Sequence, residues 1–262
     1  MAKRKVYGEC ALCRQYGELS FEHIPPKSAG NKKPARAISI YEFLRKSSTN
    51  QSPWDTTGMH YENQQAGMGL SALCKQCNNI TGSWYADAYG SFANTVLRSL
   101  RIMSLVGKRT SHIITLDIYP LRVIKQVLSM FCSVNFKQGE VLKDIKTFVL
   151  DQTATGIDKT RYKVCMYFTT SSMTRFVSFA AKVDLRDGTP ILQSEIASRP
   201  LGFILYLDLP EGVQYTGIDI TNFADYEYDL RRTMSFPTTQ IKEVNNPFIG
   251  DYRSKETIIG GR

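Results

Sequence analysis

Two C-x2-C pairs constrain this chain more than any other feature. Cys10 and Cys13 form CALC, and Cys74 and Cys77 form CKQC. Each pair fits a tight turn that points two sulfurs at one ion, and two such turns complete a tetrahedral zinc site of four thiolates. A chain stapled this way must fold back until residue 10 meets residue 74. The same cysteines also read as buried free thiols or as a redox pair, although one redox C-x2-C needs no twin. Cys132 in MFCSV and Cys165 in KVCMY stand alone in apolar surroundings and read as core. The start, MAKRKVYGEC, is basic with no apolar stretch behind it, and no run of 18 apolar residues occurs. The expected location is therefore the cytoplasm, where thiols stay reduced and no membrane partner is implied.

A zinc ion closed by four sulfurs has no open coordination position, so it holds structure and does no chemistry itself. Chemistry must come from the groups it positions. One is Glu22-His23 in FEHIPPKSAG, in a chain with three histidines. Pro25 and Pro26 fix φ at two successive positions and stiffen the turn after the histidine. The other is Asn78, directly after Cys77. There a helical pattern begins, with Tyr85, Ala88, Phe92, Val96 and Leu100 on one face. The zinc would clamp the start of that helix against the segment carrying His23. A capping or surface histidine is the plainer reading of His23. His60 reads as a loop histidine or an added metal ligand, and His112 as structural. Trp84 and Tyr85 read as core or as a stacking platform, with core preferred for Tyr85.

Length and charge add bounds. The 262 residues suit one large domain or two modest ones. Residues 1–110 carry 15 Lys/Arg against 7 Asp/Glu, and the remainder carry 18 against 17. Nearly all of the net +9 thus sits in the first part. A concentrated positive field suits a polyanion such as nucleic acid, or serves solubility alone. Lys27, Lys32, Lys33, Arg36, Arg45, Lys46 and Lys75 are the candidate phosphate contacts. Most fall in residues 28–66, a polar, basic stretch that reads as an insertion.

The order CALC, EHIP, CKQCN resembles the HNH endonucleases, the ββα-metal nucleases, in their zinc-stapled form. The likeness covers about the first 100 residues. It implies that His23 is the general base, that Glu22 and Asn78 hold a catalytic divalent ion, and that Cys10, Cys13, Cys74 and Cys77 hold structural zinc. Carboxylate and amide oxygens are hard ligands, which favours Mg²⁺ or Mn²⁺. The implied partner is nucleic acid, with DNA the first expectation, cut by phosphodiester hydrolysis. The family's middle Asn is missing: its place falls at Gly69, and Asn63 is the nearest upstream asparagine. A zinc-stapled nucleic-acid-binding protein without activity is the alternative. A third reading is an interaction protein with no polyanion partner.

A boundary near residue 108 divides the chain into 1–108 and 109–262. Past it, HIITLDI reads as a strand and Pro120 opens a helix with Leu121, Ile124, Leu128 and Phe131 on one face. KTFVLD, RYKVCMYF, RFVSFAAKVD and GFILYLDL read as strands, while the last 35 residues show no period. The expected class is α+β throughout: a zinc-stapled ββα-metal domain with a basic insertion, then an α+β domain with a mainly antiparallel sheet and one central helix. That second part suits specificity, sensing, homo-oligomerisation or a regulatory partner. Joined to such a nuclease, it resembles bacterial restriction and phage-defence effectors.

Overall fold

The computed structural model describes residues 5–42, 56–106, 113–169, 173–183 and 188–238. The chain opens with strands β1 (Val6–Glu9) and β2 (Tyr16–His23), joined through the first C-x2-C turn. Arg14, at φ 65°, closes that turn in the left-handed region, and its N–H donates to the Cys10 carbonyl at 3.0 Å. Within the basic stretch, β3 (Ala35–Ala37) and β4 (Glu62–Gln64) form a separate two-stranded ribbon. Strand β5 (Gly69–Cys74) then pairs with β2, giving an antiparallel sheet in the order β1–β2–β5. Helix α1 (Lys75–Val106) follows at once, so β5 delivers Cys74 and the first helical turn delivers Cys77. β2, β5 and α1 together make a single ββα unit.

Gly69 is required by this pairing. It faces His23 in the register, and a Cβ there would lie 1.9 Å from the Glu22 carbonyl oxygen. Only a residue without a side chain lets the two backbones approach this closely.

α1 buries Tyr85, Tyr89, Phe92 and Val96, close to the face expected from its periodicity. Strand β6 (Ile113–Ile118) alternates exposed and buried residues, as a half-buried strand should, and pairs with β12 (Arg232–Pro237). Helix α2 (Pro120–Val134) starts on a proline and is buried along its length except at Arg122. Its burial takes in polar residues too, among them Gln126, Ser129 and Ser133. These stand at i, i+3 and i+7, so they share one face of the helix.

Two segments differ from the sequence reading. KTFVLD is not a strand but the end of helix α3 (Lys143–Leu150), whose Ile145, Phe148 and Val149 are buried at helical spacing. A short apolar run fits either state, and packing decides between them. Strand β9 (Pro190–Ser198) was hidden by its polar centre, Gln193-Ser194-Glu195, which is buried. The expected strands appear as β7 (Tyr162–Phe168), β8 (Arg175–Val183) and β10 (Leu201–Leu207). With β9 and the short β11 (Ile218–Asp219) they form a sheet ordered β11–β7–β10–β9–β8. Every strand pairing among the described residues is antiparallel. Mixed α+β with mainly antiparallel sheets is therefore the observed class.

One apolar cluster runs from the knuckle residues Cys10 and Leu12 through Tyr85 and Phe92 to Leu128, Phe131 and Phe203. Cys132 and Cys165 are buried. Residues 107–112, which contain the boundary and His112, lie outside the described residues. Among the described residues, no helix is long and apolar enough to cross a membrane.

Candidate functional site

The four knuckle cysteines come together although residues 14–73 separate the pairs. Their sulfurs all lie within 4.8 Å of one another, and Sγ of Cys13 and Cys74 are 3.9 Å apart. A tetrahedron with Zn–S bonds of about 2.3 Å has sulfur–sulfur edges of about 3.8 Å. All four are free thiols. The Cys74 backbone N–H donates to Cys10 Sγ (3.3 Å), and that of Cys77 donates to Cys74 Sγ (3.4 Å). The Cys77 thiol, then the backbone N–H groups of Cys74, Cys13 and Leu12, outweigh burial and pull the Cys10 thiol below its ordinary range. The quartet can therefore hold a metal ion, and its spacing and sulfur donors fit zinc. Ala11 N–H also donates to the Ala72 carbonyl (2.8 Å), stitching the first knuckle to β5.

Beside this cluster, Glu22, His23, Lys27, Asn78, Thr81 and Gln126 border a cavity of about 150 Å³. Strand alternation alone would send Glu22 and His23 to opposite faces. β2 ends at His23, however, and the chain turns at Ile24 to Pro26, so both residues reach one space. The turn is fastened to α1. Ser28 Oγ donates to the Ala86 carbonyl (2.6 Å), and Asn94 Nδ2 donates to the Ser28 carbonyl (2.8 Å). A Cβ at Gly90 would come within 2.5 Å of Ser28, so the contact needs glycine in the helix.

The His23 ring has Nε2 3.1 Å from the Ala66 carbonyl oxygen. A carbonyl only accepts, so Nε2 carries the hydrogen, and in the neutral form of the ring the lone pair falls on Nδ1. Phe21 meets the ring edge-on at 5.0 Å between centroids. Glu22 is 4% exposed. Its Oε2 accepts a hydrogen bond from Ser133 Oγ on α2, and its buried Oε1 has no hydrogen-bond partner. Burial pushes the Glu22 carboxyl up to about 8, against the opposing Ser133 hydrogen bond. A carboxylate buried this deeply keeps its charge only beside a cation. Asn78 Nδ2 donates to Ser20 Oγ (3.0 Å) and to the Phe21 carbonyl (3.1 Å). Both amide hydrogens are thus spent on β2, and Oδ1 remains as its ligand atom.

Asn63, the nearest upstream asparagine, lies on β4 opposite Arg36 and does not reach the histidine turn. The residue that ties the turn is Asn31, which the sequence reading missed. Its Nδ2 donates to the carbonyls of Pro25 and Met68, both at 2.7 Å, and its Oδ1 accepts from Met68 N–H at 2.8 Å. Gln64 clasps the next residue: Oε1 accepts from Gly69 N–H (2.9 Å), and Nε2 donates to the Gly69 carbonyl (3.2 Å). Asn31→Ala should cost about 2–3 kcal/mol, at about 1 kcal/mol for each hydrogen bond. Urea unfolding measures that loss. Any phosphodiesterase activity should fall further than stability alone explains, because the His23 turn and the segment behind Ala66 come loose together.

Lys27, Lys32, Lys33, Arg36 and Lys75 are exposed, and none has a carboxylate partner among the described residues. Lys27 borders the cavity, Lys75 opens α1, and Arg36 lies over the Tyr61 ring at 4.7 Å. Arg45 and Lys46 lie outside the described residues. His60 is exposed and not among the cavity residues. Tyr85 is core, with its hydroxyl on the Val149 carbonyl, and Trp84 packs half-buried beside it. Comparison of the chain with known family models, curated proteins and solved structures finds no match.

Proposed function

We propose that this protein is a metal-dependent endonuclease of the HNH kind, hydrolysing phosphodiester bonds in nucleic acid, with DNA as the first candidate. The observation that carries the reading is the cavity shared by Glu22, His23 and Asn78. Glu22 and Asn78 would hold one Mg²⁺ or Mn²⁺ through hard oxygens. When bound, the ion supplies charge stabilisation at the scissile phosphate and the leaving oxygen. His23 takes the proton of the attacking water on Nδ1, while Nε2–H stays on the Ala66 carbonyl and holds the ring's aim. The zinc knuckles set where α1, and so Asn78, stands relative to β2. Lys27, Lys32, Lys33, Arg36 and Lys75 contribute phosphate affinity that is independent of sequence and falls with salt. Residues 109–262 would serve specificity, sensing or assembly, in keeping with a cytoplasmic restriction or phage-defence effector.

One observation favours the alternative, an inactive zinc-stapled nucleic-acid-binding protein. Glu22 Oε2 is already engaged by Ser133, and burial favours the neutral acid. Incubating the protein with plasmid and single-stranded DNA in Mg²⁺ or Mn²⁺ separates the two. Cutting supports the nuclease. Binding without cutting across several metals, also in phage-infected extract, supports the alternative.

A further inference from the structure

We infer that Gln126, on helix α2 outside the ββα unit, completes the divalent-ion site by accepting from the hydrated ion through Oε1. The inference rests on the reading of the cavity as a divalent-ion site. It adds that the site is shared with the second half of the chain.

Three observations support it. Gln126 borders the same cavity as Glu22, His23 and Asn78. It is 3% exposed, and its buried Oε1 has no hydrogen-bond partner. Glu22 Oε1 is in the same condition. Two enclosed acceptors without donors each cost roughly 1–3 kcal/mol, so a fold that keeps both at one cavity needs something that satisfies acceptors. Water satisfies an acceptor, and a cation with its inner water shell does so while also balancing a carboxylate charge; an apolar or anionic ligand does neither. A carboxylate with two amide oxygens is a hard donor set, suited to an ion that retains several waters.

The rest of α2 sharpens the assignment. Gln126 sits between Lys125 and Val127 on a helix packed into the core, where an apolar side chain of similar size would bury without penalty. Ser133, two turns along on the same face, donates to Glu22 Oε2 and so leaves Oε1 as the free carboxylate oxygen. One face of α2 thus holds the carboxylate and also brings a further acceptor to the cavity.

Mn²⁺ uptake by the zinc-loaded full chain, followed by the electron paramagnetic resonance of free Mn²⁺, tests this without any nucleic acid. Gln126→Met keeps the volume and removes the acceptor, and it should weaken Mn²⁺ binding about tenfold with zinc content unchanged. Gln126→Glu should bind Mn²⁺ more tightly than wild type and show a larger rise in melting temperature on adding Mn²⁺. Wild-type affinity in Gln126→Met overturns the assignment. Should that variant not fold, a Gln126→Glu protein no tighter than wild type overturns it equally. A wild-type chain that takes up no Mn²⁺ overturns the reading of the cavity itself, and this assignment with it.

Discussion

His23→Ala is expected to lower plasmid cleavage by about 10²–10⁴-fold, the usual worth of a positioned general base. Zinc content, melting temperature and DNA affinity should stay close to wild type. The asymmetry follows from where the ring sits. It is half-buried at the end of β2, and its bond to the Ala66 carbonyl and edge contact with Phe21 are each worth about 1 kcal/mol. Its loss leaves the clasp made by Asn31 and Gln64 in place, because those bonds join the Asn31 and Gln64 side chains to the backbone of Pro25, Met68 and Gly69 and use no atom of the imidazole. A variant that cuts at the wild-type rate would assign the proton transfer elsewhere. A variant that unfolds would mean the imidazole is structural.

Cys74→Ser should do the opposite and remove the fold along with the metal. Structural zinc contributes on the order of 10 kcal/mol, comparable with the whole stability of a domain at about 5–15 kcal/mol. Cys74 ends β5 while Cys77 lies in the first turn of α1. The pair therefore fixes the strand–helix joint on which Asn78 stands, and Cys10 and Cys13 fix the β1–β2 turn against it. Elemental analysis should find one zinc per wild-type chain and none in the variant. Circular dichroism and gel filtration should show the variant unfolded or aggregated. Cys132→Ser, at a buried thiol outside the quartet, should keep its zinc. A soluble, zinc-free, active Cys74→Ser protein would refute the role given to the knuckles.

The parts of this molecule that could be read from its residues are those where short-range spacing carries the physics. A C-x2-C turn aims two sulfurs whatever surrounds it, and the sulfurs do converge. The apolar period of α1 and the proline that opens α2 are local as well. What stayed hidden depends on partners far along the chain. Ser133 meets Glu22 across 111 positions, and Asn31 reaches Met68 across 37. Nothing in SFEHIP announces that its glutamate will be buried, or that a serine will bond it. The signal that existed was Gln126, Ser129 and Ser133 at i, i+3 and i+7 in a helix whose remaining residues are mostly apolar. A polar face on a buried helix must meet something polar, but periodicity does not say what. β9 was lost for a related reason: its polar centre looks like a loop until a sheet encloses it.

Crystals grown with Mn²⁺, measured with anomalous scattering at the zinc and manganese edges, test the central claim most directly. We expect zinc among the sulfurs of Cys10, Cys13, Cys74 and Cys77. Manganese should lie in the neighbouring cavity, bound by Glu22 and Asn78 with His23 alongside. Zinc in place with no manganese in that cavity, or with Glu22 still turned to Ser133 and the ion bound elsewhere, would contradict it.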